Sequence, residues 1–291
     1  MLNLWNPTQG LAWPTALLTA FLLGGLHGIT PDEHTWPITF SYAVGSYSSR
    51  GGAKAGFLFS LAFTLQRAIA SQLAYFALVG LLFRTSVQNW LYVIVGAVMV
   101  ASGAYILRLG KYVRLLGFLE HFHHEDSDEV RSVPPGMALV HGFVAGWGTG
   151  AFALIVYTVL APTMPRAVLG FLPGLFFGLG TMVTQILIGA GLGRWMERQR
   201  LGPAARTFVG RAVSGRTLFF GGLAFVLAGL VSLRYPVVNT WVLATHLKVH
   251  NLHSLGLGFF LVVFILLVVG LSSFIWALRR VSRQTGAAST R

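Results

Sequence analysis

Between positions 26 and 36 the chain reads LHGITPDEHTW, which places His27, Asp32, Glu33 and His34 within eight positions. The whole sequence has only eight acidic residues. Imidazole nitrogen and carboxylate oxygen together suit nickel, cobalt, zinc and other first-row divalent ions, whereas magnesium and calcium favour all-oxygen sets. In a continuous helix His27 and His34 share a face and Asp32 points elsewhere. Pro31 disturbs that geometry, because it has no amide hydrogen and disfavours helical backbone at Thr30. The expectation is a broken helix whose freed carbonyls, imidazoles and carboxylate converge on one point. The competing reading makes Asp32, Glu33 and His34 a solvated helix end, capped by Asp32 or Glu33, and makes His27 a partnered core histidine.

Other polar residues stand out against apolar surroundings. Arg67, in the stretch TLQRAIASQ, lies too deep in an apolar run to be a loop residue. A guanidinium cannot be deprotonated, so Asp32 or Glu33 is its expected partner, against the alternative of an arginine that snorkels to the interface. His141 is a single polar residue in an apolar run, and AGWGTGAF after it reads either as a pathway or as small-residue helix packing. EHFHHEDSDE, residues 120–129, holds His121, His123 and His124 among five acids, and suits either a low-affinity metal collector or a solvated acidic linker. HLKVHNLH gives His246, His250 and His253, which share one face if helical. They suit a station for an ion or an amphipathic helix lying in the membrane interface.

The elements that must position these residues are membrane helices. Of 291 residues 55% are hydrophobic and 10% charged, and a span needs about 20 mostly apolar residues. Seven such runs are present, near 11–31, 55–83, 89–108, 136–160, 167–193, 216–235 and 254–278. Continuous runs of this length exclude the alternating strands of an outer-membrane barrel. The fold class expected is therefore an all-α integral membrane protein of about seven transmembrane helices. MLNLWNPTQG lacks the basic residues of a signal peptide, so the first run is expected to stay as a helix.

The net charge of +13 sits in the loops, which argues against nucleic acid as a partner. Summed over alternate loops, Lys and Arg number 16 against 4, which places the N-terminus outside and the C-terminus in the cytoplasm of a multi-pass cytoplasmic-membrane protein. There is no cysteine, which removes disulfides, thiolate metal sites and thiol relays. No zinc-protease HExxH, serine–histidine site or phosphate loop is visible, so no enzymatic activity is expected.

An internal repeat organises the runs. LHGI at 26–29 is answered by VHGF at 140–143, FSLAFT at 59–64 by FGLGTM at 177–182, and LYVIVGAVMVASGAYIL at 91–107 by LFFGGLAFVLAGLVSL at 218–233. Three spans repeated as three spans must lie in opposite orientations, the inverted-repeat plan of many secondary transporters. The expected division is a first repeat over 1–108, a cytoplasmic His/acid-rich linker over 109–135, a second repeat over 136–235, and an outer loop, extra C-terminal helix and basic cytoplasmic tail over 236–291.

HGITPDEH resembles the signature of the nickel/cobalt transporter family and its relatives among membrane urease-accessory and nickel/cobalt efflux proteins. In them a histidine, four residues, an aspartate and a histidine mark the first helix of the repeat. The resemblance implies His27, Asp32 and His34 as ligands. Glu33 stands between the last two, where the best-known form has them adjacent. By the same analogy His141, Thr64 and Thr181 line the site, with Glu33 and Arg67 as auxiliary residues, and efflux members carry a comparable histidine-rich loop. The resemblance implies a secondary transporter of Ni²⁺ or Co²⁺, with uptake placed ahead of efflux and no tightly bound cofactor. Imidazole protonation offers coupling to protons. The ion and the lipid bilayer are the partners expected, with a second copy or a metallochaperone as further candidates. The alternatives are a membrane accessory protein that hands metal to a maturing enzyme, or a small-anion exporter should Arg67 face a cavity unpaired.

Overall fold

The computed structural model of the chain describes residues 3–8, 10–109, 135–199 and 201–289. Helix α1 spans Trp13–Ile29, with a proline in its first turn. It stops at Thr30, whose backbone is extended (φ −70°, ψ 139°) as required of a residue before proline. The chain then turns through Pro31–Thr35 and resumes as α2, Trp36–Gly45. The sequence reading leaves these ten residues in the first loop; instead they form a short helix with eight residues buried. Helix α3, Ser49–Tyr75, starts where the Ser48 hydroxyl accepts the amide of Gly51. Helix α4 is Thr85–Leu109.

The expected single span over 136–160 is two helices, α5 (Pro135–Ala145) and α6 (Ala151–Thr163), separated by Gly146–Gly150. Glycine leaves backbone without side-chain packing to hold it helical, so the run breaks where it is richest in glycine. A π-helical turn, Val156–Leu160, lies inside α6. Helices α7 (Leu172–Arg198) and α8 (Pro203–Arg234) come next along the chain. Arg206, Arg211 and Arg216, expected in a loop, lie on α8, and the Arg216 guanidinium stacks over Trp276 and donates to the Ser273 hydroxyl. A two-residue antiparallel hairpin, β1 (Leu243–Ala244) with β2 (Ser254–Leu255), leads into α9, apolar over Leu257–Arg283 with a π turn at Phe264–Gly270.

Among the described residues, four helices are long and apolar enough to cross a membrane: Thr85–Arg108, Ala167–Arg198, Pro203–Arg234 and Leu257–Arg283. The chain is thus a helical, membrane-embedded protein. Helix α3 is 27 residues long and less apolar, carrying Arg50, Lys54 and Arg67.

Glycine sets how the helices meet. A β-carbon at Gly52 would strike the carbonyl of Gly189 and one at Gly189 the carbonyl of Gly52; further along, Gly178 abuts Thr64 and Gly174 abuts the Arg67 backbone. Helices α3 and α7 therefore run antiparallel with backbones touching. Helices α4 and α8 do the same through Gly96 and Gly222, where an added β-carbon would come within 2.6 Å of the opposite carbonyl in each direction. Helix α1 runs parallel to α7, with Gly24 against Phe177 and Gly28 against Thr181 and Thr184. Helix α5 runs parallel to α3, with Gly142 against Phe59 and Gly146 against Gln66. Such close approach of small residues replaces the hydrophobic drive that lipid cannot supply.

Candidate metal centre

The break after α1 gathers three ligand types. Nitrogen or oxygen atoms of Asp32, Glu33 and His34 lie within 4.8 Å of one another, with Asp32 and His34 buried and Glu33 half-buried. The Asp32 Oδ1 accepts the His34 amide at 3.0 Å, which closes a local turn. His34 Nδ1 lies 3.5 Å from Glu33 Oε1, and the Tyr92 hydroxyl of α4 donates to that same oxygen at 2.9 Å. His34 Nε2 is buried without a hydrogen-bond partner.

His27 joins this group from the last turn of α1, its Nδ1 3.8 Å from Asp32 Oδ2. The rings of Phe63, Phe152 and Phe177 surround the imidazole at 5.8, 5.7 and 5.3 Å between centroids. Both its nitrogens are buried without a hydrogen-bond partner. The structure thus brings Asp32, Glu33 and His34 together, with His27 beside Asp32.

The two helix breaks touch. A β-carbon at Gly148, in the second break, would fall 2.7 Å from the His34 ring. One at Gly258, in the first turn of α9, would fall 2.5 Å from the Glu33 carboxyl carbon. At both positions a β-carbon would press on the His34 ring or the Glu33 carboxylate, so the glycines let backbone lie directly against the cluster.

Arg67 is 2% exposed and does not snorkel. Nor does it form an ion pair with Asp32 or Glu33, which corrects the expectation drawn from the scarcity of acids: the ion pairs found among the described residues are His27–Asp32 and His34–Glu33. Its NH1 group donates to the Tyr157 hydroxyl at 3.0 Å and its NH2 group to the Gly148 carbonyl at 2.9 Å, while its plane lies 4.5 Å from the centre of the Phe63 ring. Carbonyl, hydroxyl and aromatic face hold the guanidinium without a carboxylate, while its Nε is buried without a hydrogen-bond partner. A parallel arrangement holds the first break. Gln185 of α7 donates to the Gly28 carbonyl at 3.2 Å and accepts from the Thr39 hydroxyl of α2 at 2.6 Å. Arg67 ties the glycine break to α6, and Gln185 ties α1 to α2.

The remaining candidates separate from the cluster. His141 is buried on α5, its Nδ1 2.6 Å from the Tyr42 hydroxyl and 2.9 Å from the Met137 carbonyl, with Nε2 lacking a hydrogen-bond partner. It is not among the converging ligands. Thr181 donates to the carbonyls of Gly24 and Phe177, a packing role between α1 and α7. The Thr64 hydroxyl is buried without a hydrogen-bond partner beside Gly178. His121, His123 and His124 lie outside the described residues. The 246–253 segment is not the helix that would align its histidines: it is the turn of the hairpin, with Asn251 left-handed (φ 66°) and His246 exposed. There burial holds the His250 imidazole below its ordinary value; the His253 charge acts in the same sense and the Trp5 carbonyl opposes it.

Sequence reasoning missed Tyr92, Tyr157, Gln185, Thr39 and Gly148. The glycine at 148 was visible as part of GWGTG, and Gln185 as an amide in an apolar run; nothing local marked either tyrosine. Two imidazoles, two carboxylates and an unpartnered nitrogen on each imidazole, enclosed by aromatic rings, can bind a borderline divalent cation. Comparison of the chain with models of protein families, with curated proteins and with solved structures finds no match.

Proposed function

We propose that the chain is a secondary transporter that carries a divalent transition-metal ion, Ni²⁺ or Co²⁺, across the cytoplasmic membrane, with the ion as its substrate. The convergence of Asp32, Glu33 and His34 at a buried helix break carries this reading. Irregular backbone and ionisable groups are tolerated at membrane depth where they line a functional site. The chain directions support an inverted repeat of three spans and three. Helix α1 is parallel to α7, α7 antiparallel to α3 and α3 parallel to α5, so α1 and α5 oppose each other, as do α4 and α8. Contact between the two breaks at Gly148 and His34 supports a site at the junction of the halves, where a change in their relative tilt would expose the ion to alternate sides.

The similarity of HGITPDEH to the nickel/cobalt transporter signature favours these two metals. A small-anion exporter would need Arg67 to face a cavity unpaired; it makes no ion pair with an acid among the described residues, and two of its nitrogens are held by Tyr157 and Gly148. Seven spans with the N-terminus outside are the topology that the loop charges favour.

Cells expressing the protein, compared with cells expressing Asp32→Asn, should change their nickel or cobalt content while manganese and zinc stay level. Equal content of all four metals in both would end the transport reading. Cysteines placed singly at Asn6 and Ala287 of this cysteine-free chain should label from opposite sides of the membrane; labelling of both from one side would remove the assigned topology.

A further inference from the structure

The hairpin turn between β1 and β2 lies against the N-terminal segment. The Trp5 ring stacks on His250 with centroids 4.5 Å apart and meets His253 edge-on at 4.9 Å; the two imidazoles are 5.7 Å apart. His250 Nε2 is 2.7 Å from the Trp5 carbonyl oxygen. A carbonyl can only accept, so this contact keeps the ring proton on Nε2 and leaves Nδ1 with a free lone pair. Backbone carbonyls orient metal-binding imidazoles in the same way. The Nδ1 atoms of both His250 and His253 are buried and have no hydrogen-bond partner. Polar atoms in that condition call for a ligand, because a buried acceptor left unpaired costs the full loss of its hydration.

One side chain touches both His250 of this pair and His27 of the central cluster. The Phe152 ring, 1% exposed, sits edge-on to His250 at 5.4 Å and contacts His27 at 5.7 Å. Phe152 stands in the first turn of α6, immediately after the glycine break.

We propose that His250 and His253 form a second cation site, binding a borderline divalent ion through their Nδ1 atoms with water completing the shell, and that the ion passes between this site and His27 around the Phe152 ring. The passage rests on the transport reading; the site rests on the hairpin alone. Two protein ligands leave an open and exchangeable shell, unlike the four of a structural zinc site, which suits a station that releases what it binds.

The full-length protein in detergent, titrated with Co²⁺ alone and followed by its visible absorption, should bind two ions per chain. Asp32→Asn should remove one, and His250→Ala or His253→Gln the other, with His246→Ala, an exposed residue of the same turn, removing neither. Loss of a site in the two hairpin variants with Asp32→Asn unaffected would keep the hairpin site and discard the central one. Wild-type binding in both hairpin variants, or no binding at all, would overturn the site. In proteoliposomes the hairpin variants should raise KM for Co²⁺ several-fold with kcat unchanged; an unchanged KM would overturn the passage.

Discussion

The break after α1 carries Pro31, Asp32, Glu33 and His34, whereas the break after α5 is built from Gly146, Trp147, Gly148, Thr149 and Gly150 and holds no ionisable side chain. Each is clamped from the neighbouring long helix, the acidic one by the neutral Gln185 and the glycine one by the cationic Arg67. The Arg67 guanidinium makes no ion pair with either carboxylate, and its hydrogen bond to the Gly148 carbonyl holds the backbone that packs on His34. One break carries the candidate ligands and the other forms the wall against them.

This division of labour can be broken at either end. Removing ligands should have the largest effect: His27→Ala, Asp32→Asn and His34→Ala should insert in normal amount yet lose metal-dependent accumulation or resistance by more than about tenfold, the order of loss associated with disturbing a metal shell. Glu33→Gln should behave alike, since its oxygen lies in the same cluster. Unaffected accumulation in His27→Ala and His34→Ala would show that the motif only breaks a helix.

The wall comes next. Gly148→Ala pushes a methyl group against the His34 ring, and overpacking of this kind costs about 1–3 kcal/mol. Accumulation should fall with little change in the amount of folded protein. Arg67→Met removes two charge-assisted hydrogen bonds, each worth roughly 1.5–3 kcal/mol, and should lower the thermal midpoint in detergent more than Tyr157→Phe does. Equal midpoints for Arg67→Met and wild type would mean that the clamp is idle. Gln185→Leu should give the smallest loss, about 1 kcal/mol per neutral hydrogen bond, read from the same melting curves.

The first break was legible because the effect of proline is local: Pro31 acts on Thr30 whatever surrounds it. The second was not, since glycines in an apolar run are equally compatible with tight packing inside an unbroken helix. Helix α2 escaped notice because ten residues containing Ser, Thr and Tyr fall short of any span. The site was legible to the extent that its ligands are neighbours in sequence. Arg67 shows where reasoning from composition ends. Counting acids assumes that charge seeks charge, yet a hydroxyl, a carbonyl and an aromatic face hold it instead, and none of these is recognisable before the chain folds. The hairpin histidines were misjudged for a related reason, since their spacing was read with a helical period that the turn does not obey.

The glycine seam between α3 and α7 bears on how genetic data for this protein will look. Gly52, Gly174, Gly178 and Gly189 tolerate no β-carbon without the backbones moving apart, so a saturating mutational scan should score them as severely as Asp32 or His34. The two classes would differ under a second selection: folded-protein abundance should collapse at the seam and hold at the ligands. A map of intolerant positions taken alone would therefore trace the mechanical spine of the bundle and the proposed ion site in one colour.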